Sequence, residues 1–95
     1  MPSVTVLIPT LLRQYTEGQA LMTLELGEGD DVAMLLDHLG ESRPLLDQRI
    51  REESGVLRRY VNIYVDGEDV RRLDRLATSV PAGATVMIMQ SVAGG

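Results

Sequence analysis

The chain has 95 residues, with 9 basic and 14 acidic side chains that give a net charge of −5 at pH 7. A chain of this length forms one domain with a modest core, which leaves little room for a deep, enclosed active site. The negative charge and an aromatic content of 3% also argue against nucleic acid as a partner, because such proteins use basic patches and aromatic stacking platforms.

Cysteine is absent, so the chain has no disulfide, no thiolate metal site and no cysteine nucleophile, which fits a reducing cytosol. No apolar run is long enough to span a membrane, and the first 25 residues do not have the pattern of a secretory signal. We therefore expect a cytoplasmic protein with no membrane partner.

The first third of the chain predicts two paired strands. Residues 3–8 alternate small or polar side chains with aliphatic ones, and Pro9 ends the pattern because it cannot donate to a strand ladder. A polar loop is expected over residues 10–19. Residues 20–26 alternate again, with Met22, Leu24 and Leu26 on one face and Leu21 on the other.

A helix is predicted after the glycine-containing segment 27–29. Asp30 or Asp31 can accept from the free N–H groups of its first turn, and Gly40 suits its end. Residues 41–58 are predicted to form a helical turn after Pro44 and then a loop. The apolar positions of the main helix repeat at i, i+3, i+4 and i+7: Val32, Leu35, Leu36 and Leu39.

The second half predicts strands around further turns. Residues 60–65 are rich in β-branched and aromatic side chains, and Asp66-Gly67 is a hairpin-turn pair. A short edge strand is expected at Val70, an irregular connection over residues 71–79 and a turn over 81–84. Residues 85–90 form the last predicted strand.

This order of elements predicts an α+β fold, in which a mixed sheet packs one face on a main helix. If Val86 and Ile88 face that helix, Met87 and Met89 project from the opposite face. The two methionines are then either half-exposed packing or a partner-binding surface, to which the flexible side chain of Met is suited. We divide the chain into a domain over residues 1–91 and a flexible tail over 92–95.

The order of elements and the terminal Gly94-Gly95 resemble the β-grasp, ubiquitin-like sulfur carriers of the ThiS/MoaD family. Within that family the chain is most similar to the CysO-type carriers of cysteine synthesis, although Gln90-Ser91 stands where many relatives have proline. The similarity covers nearly the whole chain and is carried by residues 8–13 (IPTLLR), 59–65 (RYVNIYV), 68–71 (EDVR), 76–78 (LAT) and 92–95 (VAGG).

The resemblance implies that an E1-like adenylyltransferase/sulfurtransferase uses ATP and Mg²⁺ to adenylate the carboxylate of Gly95, which then becomes a thiocarboxylate. Ala93 and Gly94 would thread a narrow channel of the partner, because glycine has no side chain, and Val92 would contact the partner beside them. In the cysteine route the acceptor is a cysteine synthase that holds pyridoxal phosphate, and a zinc peptidase frees the product. The chain itself would bind no cofactor and no metal.

The sequence is also compatible with other functions. The same tail could supply sulfur for thiamin thiazole, for molybdopterin or for a sulfur-containing natural product. The chain could instead be a ubiquitin-like modifier of other proteins, or an interaction domain that works through Met87 and Met89. An independent enzyme is disfavoured, because no nucleophile and base can be paired.

Three further sets of ionisable residues have ordinary interpretations. His38, without a second histidine or a cysteine, is expected to be an exposed helix residue, and the acids at 66, 68, 69 and 74 a solvated turn. Arg71, Arg72 and Arg75 either belong to a surface of mixed charge or guide docking to an acidic patch.

Overall fold

A computed structural model describes residues 3–27 and 29–91. Its sheet has the strand order β2-β1-β5-β3-β4, with β1 and β5 parallel and the other pairs antiparallel. The predicted α+β arrangement with a mixed sheet is therefore confirmed. The strands are β1 Ser3–Leu7, β2 Leu21–Glu25, β3 Val61–Val65, β4 Glu68–Asp69 and β5 Thr85–Gln90.

The core lies between one face of this sheet and two helices, α1 Val32–Ser42 and α2 Pro44–Ile50. Val86 and Ile88 of β5 are buried on that face, as the alternation of the strand predicts. The four apolar positions predicted for the main helix are all buried as well. Asp31 is the N-cap, since its carboxylate accepts from the backbone N–H of Met34 at 2.9 Å.

Gly40 does not end α1, which continues to Ser42. A Cβ atom at Gly40 would lie 3.0 Å from Oδ2 and 3.2 Å from Cβ of Asp47, on α2. The glycine thus permits the close approach of the two helices, and the prediction that it stops the helix was wrong.

The segment 41–58 also holds more helix than the single turn predicted. Pro44 occupies the first turn of α2, where its missing N–H costs no hydrogen bond. Leu46 and Ile50, four residues apart, are both fully buried. Arg51 then fixes the end of α2 on α1, because its guanidinium binds Asp47 at 2.8 Å and Asp37 at 2.9 Å.

Three short 3-10 helices lie in segments for which the sequence predicts loop or strand. The expected polar loop after Pro9 contains the 3-10 helix Thr10–Tyr15, which buries Leu12. The edge strand expected at Val70 is β4, one residue earlier, and Val70 itself begins the 3-10 helix Val70–Arg72 with its side chain fully buried. A third helical turn, Arg75–Ala77, lies in the connection predicted to be irregular.

The turn between β3 and β4 is the hairpin that the sequence predicts. Asp66 and Gly67 both have positive φ, of 49° and 87°, as a two-residue turn that matches the strand twist requires. The Asp66 carboxylate also accepts from the N–H of Thr85 at 2.9 Å, so this acid supports the turn. Among residues 3–27 and 29–91, no helix has the length and apolar character to cross a membrane.

Candidate functional site

One face of the sheet is not covered by the helices, and an apolar row crosses it. The strand registers place Leu7 of β1 and Tyr64 of β3 on either side of Met87, with Leu21 of β2 beyond Leu7. Residues directly opposite one another in a sheet project from the same face. The row Leu21-Leu7-Met87-Tyr64 is referred to below as the apolar row.

The two methionines predicted for this face both lie on it. Met87 is 39% exposed and Met89 is 46% exposed, whereas Val86, before Met87, and Ile88, between the two methionines, are buried. Leu21, at one end of the row, is 52% exposed. Contiguous apolar side chains that remain accessible on a small domain are typical of a protein interaction site, and the soft, flexible Met side chain can adapt to more than one partner.

The far edge of this face is polar and hydrogen-bonded. Asn62, opposite Met89 in the register, donates to the Asp69 carboxylate at 3.0 Å, and the backbone N–H of Arg71 donates to it at 2.9 Å. These two hydrogen bonds, with the nearby arginine charges at 71 and 72, hold the pKa of Asp69 below its ordinary value. Asp69 therefore stays ionised at the rim of the apolar row.

The chain leaves β5 at a point that the sheet holds firmly. The backbone N–H of Ser91 donates to the carbonyl of Tyr60 at 2.9 Å, and the Ser91 hydroxyl lies 3.4 Å from the same oxygen. Tyr60 is 41% exposed and carries the guanidinium of Arg59 at 5.4 Å from its ring centre. The predicted site residues Val92, Ala93, Gly94 and Gly95 lie outside the described residues.

The side chain of Gln90, immediately before this point, is unusual. Its Oε1 atom is buried and has no hydrogen-bond partner among the described residues. A buried acceptor that is left unpaired costs free energy.

The remaining candidate residues occupy ordinary positions. His38 lies half-exposed on α1, with Nδ1 at 3.3 Å from Glu41 and Nε2 at 3.8 Å from Asp30. In the part of the chain that the structure describes, no three His, Cys, Asp or Glu side chains are grouped so that they could hold a metal ion. The exposed face of the sheet and the end of β5 are two features of the arrangement that are suited to binding a partner.

Sequence reasoning found Met87 and Met89 but did not assign Leu7, Leu21 and Tyr64 to the same surface. The alternation within each strand predicts the face on which each residue lies, and it places Leu21 and Met22 on opposite faces of β2. What was missing is the register between strands, because it decides which outward residues become neighbours. The contact between Ser91 and Tyr60 depends on the same register.

The comparisons with known proteins agree with this geometry. The model of the ThiS family matches residues 6–95. Sulfur carrier protein CysO of Mycobacterium tuberculosis is 40% identical over 95 residues, which are 98% of this chain and 99% of that protein. The crystal structure of M. tuberculosis CysO has a TM-score of 0.81, with 38% identity over 94% of this chain and 99% of that one.

Two further solved structures are similar over nearly their whole length. A chain of the crystal structure of the Amycolatopsis orientalis BexX/CysO complex has a TM-score of 0.82 at 37% identity, and the match covers 97% of this chain and 99% of that one. The solution structure of small archaeal modifier protein 1 from Methanosarcina acetivorans has a TM-score of 0.83 at 27% identity, over 100% of this chain and 98% of that one. The predicted ubiquitin-like β-grasp fold is confirmed, and the chain belongs to the ThiS family.

Proposed function

We propose that this member of the ThiS family is a sulfur carrier of cysteine biosynthesis, whose Gly95 carboxyl group is activated by a partner enzyme and converted to a thiocarboxylate. The observation that carries the proposal is the full-length 40% identity to proteins named sulfur carrier protein CysO. The matched residues include the Val92-Ala93-Gly94-Gly95 ending. The chain is thus a reactant carried between enzymes and is not itself a catalyst.

The proposed chemistry divides a difficult substitution into two easier steps. A carboxylate oxygen of Gly95 attacks the α-phosphorus of ATP, and pyrophosphate leaves. Hydrosulfide then attacks the acyl carbon, and AMP leaves with the oxygen atom that joined it to the acyl group. The product is a thiocarboxylate, an anionic and nucleophilic sulfur that reacts as a thiolate does. The adenylating enzyme would bind ATP and Mg²⁺, and this chain would supply only the carboxyl group.

The fold requires each partner to dock close to the end of β5. Ser91 is hydrogen-bonded to Tyr60, and the four residues beyond it can span at most about 14 Å even when fully extended. A partner whose active site receives Gly95 must therefore rest on the surfaces around this point. Met89, one of the exposed side chains of the sheet face, is only two residues from Ser91, so this face is suitably placed for docking.

The acceptor of the sulfur is a further part of the proposal, supported by the likeness to proteins named CysO. We propose a cysteine synthase, in which pyridoxal phosphate holds the electrophile, and a zinc peptidase that releases the new cysteine from the tail. An acceptor for thiamin thiazole, molybdopterin or a natural product would use the same thiocarboxylate. We place the carrier in the cytoplasm, where the ATP that its activation consumes is available.

The direct test is the intact mass of the protein after incubation with the activating enzyme, ATP, Mg²⁺ and sulfide. The expected change is the replacement of one oxygen atom by sulfur, and fragmentation should place that sulfur on Gly95. The matched control is the variant that lacks Gly95, which should keep its fold because terminal residues add little to a core. An unchanged mass, under conditions that charge a CysO protein, would refute the proposal.

A second candidate function is covalent modification of other proteins. It is favoured by the 27% identity to small archaeal modifier protein 1 over the whole chain. All nine basic residues are arginine, so the chain could not extend itself through its own lysine side chains. Immunoblots of a denatured lysate should reveal adducts of higher mass if this function operates, and adducts that persist without Gly95 would contradict attachment through the tail.

A further inference from the structure

A groove on the side of the domain lies between the loop after α2 and the connection that follows β4. It has a volume of about 240 Å³. Val56 at its rim is 53% exposed, whereas Leu57 and Leu76 pack against the core. No carboxylate contributes to its lining, which consists of Val56, Leu57, Arg71, Arg75 and Leu76.

The groove is basic, although the chain as a whole is acidic. Elsewhere in the domain, Arg43 and Arg51 are paired with carboxylates at 2.8–2.9 Å. Within residues 3–27 and 29–91, Arg71 and Arg75 form no ion pair within 4.0 Å. Two guanidinium groups beside an aliphatic floor are therefore available to an external carboxylate.

The backbone holds Arg75 at the groove at some cost. Its φ of 55° is in the left-handed region, which a residue with a side chain rarely adopts and which usually costs about 1 kcal/mol or more. The N–H of Thr78 donates to the Arg75 carbonyl at 3.1 Å and closes this turn. Such a conformation is often found where a side chain is positioned for binding.

The groove is connected to the point where the tail begins. The Arg71 guanidinium donates to the carbonyl of Arg58 at 3.3 Å, and Arg58 is two residues before Tyr60, which holds Ser91. Arg72, by contrast, lines a separate depression with Tyr64 and Asp69. The three clustered arginines of the sequence therefore have different surroundings, and only two of them belong to the groove.

We propose that this groove docks an acidic, apolar surface segment of the activating enzyme, with carboxylates on Arg71 and Arg75 and an aliphatic or aromatic side chain on Val56. This inference rests on the proposed function. The activating enzyme is the partner because every sulfur route considered above requires it, whereas the acceptor differs among them. Guanidinium groups bind carboxylates in a bidentate manner. Exposed charge pairs mainly set the rate and specificity of association, which suits a carrier that must also dissociate from the enzyme.

The test is the dissociation constant of the complex between the full chain and its activating enzyme, measured without ATP at low and at moderate salt. R71E or R75E should raise the Kd about 5- to 10-fold, because a favourable charge pair becomes a repulsive one. V56S should raise it about 3-fold by removing exposed apolar area. The wild-type Kd should rise with salt, and the Kd of R71E/R75E should respond much less.

The matched control is R49E, which makes the same charge change at an exposed arginine of α2 that lines neither the groove nor the apolar row and should alter the Kd less than 2-fold. R71Q replaces R71E if the latter unfolds. An R71E effect no larger than that of R49E overturns the inference, as does selective loss of affinity for the acceptor enzyme instead. The intact mass of the same wild-type samples, measured after incubation with ATP and sulfide, tests the proposed function separately.

Discussion

Replacing Met87 and Met89 together by threonine should weaken docking of the activating enzyme and leave the fold intact. The two side chains are 39% and 46% exposed. Full burial of a methionine contributes about 1.5–3 kcal/mol, so burying the fractions still exposed would contribute about 1.3–2.6 kcal/mol. The Kd should therefore rise about 10- to 80-fold, while threonine retains a high preference for strand structure.

The assay is a titration of the activating enzyme with each variant, accompanied by thermal unfolding of the free protein. Leu45→Gln is the matched control, because Leu45 is 61% exposed and lies on α2, on the other side of the sheet. The Leu45→Gln variant should lose apolar surface without losing affinity for the activating enzyme. If the double variant binds as tightly as the wild type, or if Leu45→Gln weakens binding as much, the exposed sheet face is not the docking surface.

Three further predictions concern the stability of the domain, each measured as the urea midpoint against the wild type. Gly40→Ala should destabilise the domain, because the new Cβ would lie 3.0–3.3 Å from the side chain of Asp47. Overpacking costs about 1–3 kcal/mol and outweighs the gain in helix propensity of about 1 kcal/mol. A more stable variant would contradict this close helix packing. Asp69→Asn should destabilise the protein at pH 7, and this loss of stability should shrink as the pH falls below about 4. The reason is that the native carboxylate has a lowered pKa, so the stabilisation that it provides is lost on protonation. A loss of stability that does not depend on pH would contradict this. Gln90→Met should raise stability by about 1 kcal/mol, since it removes the unpaired buried Oε1, whereas a lower midpoint would indicate that Oε1 has a partner.

Local patterns in the sequence were sufficient for four of the five strands and for the buried face of the main helix. β5 begins and ends at the predicted residues, and the alternation along it correctly exposes Met87 and buries Ile88. The same reasoning failed at Gly40, because glycine commonly ends a helix and the contact that explains it comes from Asp47 on another helix. The start of α2 at Pro44 was detectable, since proline is favoured in a first helical turn.

The surfaces proposed for binding were only partly predictable. Period-two alternation identifies which strand residues face outward, but the neighbours of Met87 depend on pairing with β1 and β3. The groove could not be inferred in this way, because it combines Val56 with Arg71 and Arg75 across more than one element. The sequence presents Arg71 and Arg72 as equivalent, and only the fold separates their surroundings.

The central claim is that sulfur is carried on the carboxyl group of Gly95. Its most direct test is the intact mass of the wild-type chain and of the variant lacking Gly95, after incubation with the activating enzyme, ATP, Mg²⁺ and sulfide. The wild type should exchange one oxygen atom for sulfur at its last residue, and the shortened variant should not change. A wild-type protein of unchanged mass, or sulfur found at any residue other than Gly95, would contradict the claim.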